Sequence, residues 1–104
     1  MLDERFVRLL MIASLDGDAR AYKDFLNIVC EALRGYHRAR LARIGRDLGE
    51  AEDLVQDTLL AIHARRETYD RSQPVSAWVY ALAKYKFIDH LRKIGRSREV
   101  PIDC

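Results

Sequence analysis

A chain of 104 residues suffices for one domain with a modest core, and 49% hydrophobic with 33% charged residues is the balance of a folded domain, which argues against a disordered chain. No apolar run is long enough to span a bilayer, and the first ten residues lack the cleavage pattern of a secretory signal. The formal net charge of +2 points to no partner, but its distribution is uneven. Lys84, Lys86, Arg92, Lys93, Arg96 and Arg98 face a lone Asp89, whereas Glu50, Glu52, Asp53 and Asp57 form a stretch without cations.

There is no sustained period-two alternation, so the pattern is all-α: a compact bundle of about four helices with a long second helix. The first helix is predicted over residues 3–14, with Phe6, Leu9, Leu10 and Ala13 as its apolar face. L-D-G-D ends it, and Asp18 suits the N-cap of a second helix over 19–43. Ala21, Tyr22, Phe25, Leu26, Val29, Leu33 and Tyr36 trace the buried stripe of that helix. Its cationic last turns suit a helix C-terminus, and Gly45 and Gly49 bracket a short loop. Two cysteines make no disulfide framework: Cys30 reads as a small core residue and Cys104 is terminal, so a reducing cytoplasm is the expected setting.

The third helix is predicted over 50–66, with acids at its N-terminal end. Leu54, Val55, Thr58 and Ile62 gather on one side, while Asp53, Gln56, Asp57 and Leu60 gather on the opposite side. A leucine rimmed by carboxylates and an amide has the composition of a protein-docking patch for a cationic partner. It can equally be a solvated face with a stray leucine. Y-D-R-S-Q-P-V then forms a loop, and Ser76 is placed to cap a fourth helix over 76–96.

At about 100° per residue, Ala77, Tyr80, Ala81, Phe87, Ile88 and Leu91 fall on one side of the fourth helix, read as the core. Trp78, Leu82, Tyr85, Lys86, Arg92, Lys93 and Arg96 fall on the other. Rings interleaved with cations suit single-stranded nucleic acid, which needs stacking surfaces for bases and charges for phosphates. The alternative for this helix alone is that Trp78 and Tyr85 pack on a neighbour while the cations are solvated. The tail R-S-R-E-V-P-I-D-C has few groups to bury and reads as linker. The expected organisation is a domain over 1–96 and, over 97–104, the start of a linker to an absent second domain.

A-E-D-L-V-Q-D-T-L-L-A-I followed by Y-D-R-S-Q-P-V-S-A-W-V-Y-A-L-A-K-Y-K-F-I-D-H-L-R-K resembles region two of bacterial sigma factors of the extracytoplasmic-function type. G-D-A-R-A-Y-K-D-F-L from Gly17 is similar to the first helices of that domain, and the resemblance covers residues 9–96. It implies a transcription initiation factor domain that docks on the β′ clamp helices of RNA polymerase core through Asp53, Leu54, Gln56, Asp57 and Leu60. It further implies recognition and melting of the promoter −10 element by capture of non-template-strand bases. The base pocket then falls on the loop over 69–76, with Tyr69, Asp70, Ser72, Gln73 and Ser76. Strand separation falls near Trp78, Lys84 and Tyr85, and phosphate contacts fall on Lys86, Arg92, Lys93 and Arg96. Lys84 lies on the core side of the helical plot and would have to snorkel. Asp89 is expected to orient Arg92 or Lys93. The resemblance also implies an anti-sigma factor that covers these surfaces, no cofactor or metal, and no membrane contact.

The chain departs from the family pattern at Ala83-Lys84-Tyr85, where A-R-N is usual: Tyr85 can stack but offers no amide. Val75 stands where a larger apolar residue is common, and the helix-turn-helix reader of the −35 element is absent. Two other classes compete. An enzyme is disfavoured, because His37, His63 and His90 are scattered and E-A-E-D has no acid–base partner or phosphate loop. A sigma-like helical module that binds a regulator without DNA would not need the Trp78, Tyr85, Lys86, Lys93 stripe free.

Overall fold

The computed structural model describes residues 2–99, with side chains through residue 95. The helix expected to end at residue 96 continues through residue 99, so 97–99 are helical rather than linker. The side chain of Arg96, expected as a phosphate contact, residues 100–103 of the expected linker and Cys104 lie outside what is described. Four helices follow in order: α1 (Glu4–Leu15), α2 (Ala19–Arg43), α3 (Ala51–Arg65) and α4 (Val75–Glu99). Single 3₁₀ turns at Leu48–Glu50 and Arg66–Thr68 flank α3. The described residues contain no strand, as the sequence pattern implies, and α2 has the predicted bounds.

The turns explain the antiparallel path. Gly17, at φ +105°, donates to the Ser14 carbonyl at 3.1 Å, and Asp18 donates to that of Ala13 at 3.0 Å. This is a Schellman closure, which needs a left-handed residue. Asp18 then turns its carboxylate to the Ala21 amide at 3.0 Å and starts α2. One residue thus ends one helix and begins the next. Gly45, at φ +72°, repeats the closure after α2, with Arg46 donating to the Leu41 carbonyl at 2.9 Å.

The main core gathers Val7 and Met11 from α1, Phe25, Val29 and Leu33 from α2, Val55 and Ile62 from α3, and Val79 and Leu82 from α4. A second cluster of Leu41, Ala51, Leu54 and Phe87 joins the far ends of α2 and α4 to the start of α3. Each fully buried large apolar side chain contributes about 1.5–3 kcal/mol. His37 lies wholly buried between α2, α3 and α4, with its ring stacked on Phe87 at a 6.2 Å centroid distance. The Thr58 hydroxyl donates to the Leu54 carbonyl at 2.7 Å, leaving its oxygen to accept from His37 Nε2–H at 3.0 Å. Nδ1 is then a buried acceptor with no partner. Burial, reinforced by the Arg40 and His90 charges, pushes the His37 pKa down to about 4, so the ring is neutral at physiological pH.

Two apolar faces differ from the sequence-based expectation. On α1 the buried residues are Val7 and Met11, whereas Phe6 and Leu9 are 50% and 63% exposed. On α4 the buried stripe is Val75, Val79, Leu82, Ala83 and Phe87, while Ala77 and Ala81 are exposed and Ile88 is largely so. The α4 face is rotated by roughly a third of a turn from the predicted one. Both helices carry apolar residues on nearly every side, so period alone does not choose the face. The rotation buries Leu82, expected on the open side, and exposes Lys84, which needs no snorkelling.

Candidate functional site

The acidic stretch divides by pairing. Glu52 accepts from Arg34 of α2 at 2.7 and 3.2 Å, and Arg34 also binds Glu31 at 2.7 Å. Those two carboxylates raise the Arg34 pKa, and the guanidinium holds Glu52 below the usual carboxylate range. Glu50 accepts from Arg46 at 3.0 Å and from His90 of α4 at 2.7 Å, which lowers its pKa too. These two acids hold helices together. Among the described residues Asp53 and Asp57 form no salt bridge, and both are exposed beside Gln56 and a 59% exposed Leu60. Leu54 corrects the expectation: at 1% exposure it anchors the second cluster and offers a partner no side-chain surface.

The loop before α4 is held in one shape. The Tyr69 hydroxyl donates to the Gln73 carbonyl, and its ring lies 5.6 Å from that of Trp78. Asp70 accepts from the Ser72 amide at 2.9 Å and from its hydroxyl at 2.8 Å, an Asx turn. Tyr69 is therefore not an accessible contact, being 5% exposed, and its work is inside the loop. Asp70, Ser72 and Gln73 are exposed.

Ser76 is not the cap of α4, which begins one residue earlier at Val75. The cap comes from α1 instead. The Glu4 carboxylate accepts from the Val75 and Ser76 amides at 2.8 Å each. Burial raises the Glu4 pKa, but the bonds from Ser76 and Val75, with the Arg8 charge, outweigh it and leave the group below its ordinary value. Arg8 donates to the Arg71 carbonyl at 2.6 Å, and the Arg71 guanidinium pairs with Asp16 at 2.8 Å. Sequence reading missed Glu4, Arg8 and Asp16, whose partners lie 55 to 72 residues away.

Beyond the loop, α4 presents Lys84, Tyr85, Arg92 and Lys93 to solvent. Tyr85 is 54% exposed, with the Lys86 ammonium 6.0 Å from its ring centre. Trp78 is half-buried against the main core, so the two rings of the predicted stripe differ: one seals the core edge and one is free. Asp89 pairs with Lys93, loosely, at 3.5 Å. A groove of about 290 Å³ between α3 and α4 has Asp57 and Leu60 on one rim and Tyr85 and Lys86 on the other, with Leu82 among its apolar lining.

Cys30 is half-buried, packed against the main core as its helical pattern implies. Among the described residues no group of three or more His, Cys, Asp and Glu side chains could hold a metal ion, and no helix is long and apolar enough to cross a membrane.

Residues 29–97 match the Sigma-70 region 2 family. The chain is 40% identical over 100 residues to ECF RNA polymerase sigma factor SigF of Caulobacter vibrioides, covering 96% of this chain and 54% of that protein. It is 32% identical over 88 residues to ECF RNA polymerase sigma factor SigD of Mycobacterium tuberculosis, covering 84% of this chain and 42% of that protein. The chain thus spans about half the length of these relatives. No solved structure matches it. A four-helix domain with this matched span and these relatives belongs to the sigma-70 region 2 family, in its extracytoplasmic-function branch.

Proposed function

We propose that this domain docks on RNA polymerase core through the outer face of α3 and opens the promoter −10 element with the loop before α4 and the exposed side of α4. The observation that carries the reading is the division of charge on adjacent helices. Among the described residues Asp53 and Asp57 form no salt bridge on α3, while Lys84, Arg92, Lys93 and Tyr85 stand exposed on α4.

Asp53, Gln56, Asp57 and Leu60 would meet the β′ clamp helices, with Leu60 as apolar anchor and the carboxylates on cations of the partner. On the DNA side, unstacking a base costs roughly a few kcal/mol, which a shaped pocket and stacking must offset. The exposed Asp70, Ser72 and Gln73 supply polar groups for a flipped base, and Tyr85 supplies a stacking face of the kind worth roughly 1–3 kcal/mol per base. Lys84, Lys86, Arg92 and Lys93 supply phosphate contacts. Trp78, rigid at the loop's edge, stands where a base pair would be wedged apart. An anti-sigma factor covering both faces is the expected regulator.

The test is binding of a labelled single strand, randomised across the −10 positions, at two salt concentrations. Binding at low salt that weakens steeply as salt rises supports the reading, since phosphate contacts release counterions. Absence of binding at low salt, with helical content intact, would overturn it in favour of a module that binds only proteins.

A further inference from the structure

We infer that α1 is the brace of the recognition loop, and that Glu4 is the positioning residue through which base selectivity at the −10 element is maintained. The inference rests on the DNA reading proposed above.

Three contacts carry it, all made by one helix to one loop. The Glu4 carboxylate spans the Val75 and Ser76 amides at 2.8 Å each, where the loop enters α4. Arg8, one turn further along α1, donates to the Arg71 carbonyl at 2.6 Å, in the middle of the loop. Asp16, just past the end of α1, pairs with the Arg71 side chain at 2.8 Å. The contacts run in register along α1, so loop and helix are fastened at successive points rather than at one. α1 itself is fixed beneath by Val7 and Met11, both wholly buried.

The need for a brace follows from the loop's sequence. Pro74 precedes the first residue of α4, and its ring carries no acceptor for the first amides, as a capping Ser, Thr, Asp or Asn would. The first amides of a helix lack partners within it. Without Glu4 the Val75 and Ser76 amides would turn to water, and the first turn of α4 would fray. The exposed Asp70, Ser72 and Gln73 immediately precede that turn, and Trp78 closes it, held against the main core. A frayed first turn therefore moves the polar groups of the base pocket relative to the wedge. It leaves Arg92 and Lys93, about four turns further along α4, in place. Selectivity and strand affinity then depend on Glu4, whereas the phosphate contribution does not. Glu4 touches no DNA in this account; it acts through the backbone it holds.

The test compares the wild-type domain with Glu4→Ala and Glu4→Gln in binding the strand randomised at the −10 positions. Glu4→Ala is expected to weaken the preferred strand about tenfold, equivalent to about 1.4 kcal/mol. It should also flatten the preference among bases, with the salt dependence and the binding of polymerase core unchanged. Glu4→Gln keeps one acceptor oxygen and should fall between. If the wild type binds selectively and folded Glu4→Ala keeps the same affinity and preference, the brace is refuted and the DNA reading stands. If the wild type itself does not bind, both fall. Should Glu4→Ala not fold, Arg8→Met takes its place. It is expected to lose selectivity in the same direction, and an unchanged preference there would refute the brace.

Discussion

The outer faces of α3 and α4 sit side by side on one core, yet they treat charge in opposite ways. On α3 the acidic stretch is half consumed: Glu50 and Glu52 tie the helix to Arg46, His90 and Arg34, and Asp53 and Asp57 have no ion-pair partner among the described residues. On the described part of α4 the lysines and Arg92 form no salt bridge except the loose Lys93–Asp89 contact at 3.5 Å. The difference teaches that a count of charges does not define a surface. Pairing does. Glu50 and Glu52, at the start of α3, are structural, and the proposed docking patch begins with the very next residue, Asp53, on another side of the helix.

Breaking the α3 side alone is expected to give the largest effect. Asp57→Arg reverses a free charge at the centre of the patch and should weaken association with polymerase core by about a hundredfold, as losses at interface centres do. Strand binding should not weaken, because Asp57 faces Lys86 and Tyr85 across one groove and an added cation there favours phosphate. A fluorescence titration against core and against the strand reads both. Loss of both together would mean that the faces are one surface.

Breaking the α4 side is expected to cost less. Tyr85→Ala removes the free ring and should weaken single-strand binding by about tenfold, within the range of one lost stacking contact. Trp78→Ala should instead reduce opening of duplex more than binding to strands already open, measured by 2-aminopurine fluorescence against anisotropy. Equal losses would remove Trp78 from strand separation. Arg92→Ala or Lys93→Ala should weaken all sequences alike and lower the salt slope by about one.

On either partner's binding the smallest effect comes from the core that both faces share, where a substitution changes stability rather than affinity. His37 has a folded pKa of about 4 against 6.5 for a free histidine, so between those values the unfolded chain binds more protons. Stability is therefore full above pH 6.5 and falls as pH drops toward 4, by on the order of 3 kcal/mol. His37→Leu, which removes the titrating ring, should flatten that slope in urea unfolding at the two ends of the window. A slope unchanged by the substitution would place the acid sensitivity elsewhere.

The order and bounds of the helices could be read from sequence because their stops are local. Asp18, Gly17 and Gly45 carry turn chemistry in their own side chains or backbone freedom. The α3 faces were legible too, since polar and apolar residues there segregate cleanly. The buried sides of α1 and α4 were not, because Phe6, Leu9, Ala77 and Ala81 are as apolar as the residues that won. Only the packing of Val7, Met11, Val75 and Val79 on α2 and α3 decides between them. His37 had a readable signal that was passed over: Phe25, Val29, Leu33, His37 and Leu41 recur at every fourth residue, all on the buried stripe of α2. The cap of α4 had none, since Glu4 lies 71 residues from Val75 and only the fold brings them together.

The separateness of the two faces is tested most directly by strand binding in the presence of the docking partner. Anisotropy of a labelled single −10 strand would be followed as the domain is added, with and without a saturating concentration of the β′ clamp-helix coiled coil. Affinities equal within about twofold are expected if α3 and α4 serve different partners, the additive outcome for independent sites. Displacement of the strand in proportion to coiled-coil occupancy would contradict the account, placing both partners on the same surface.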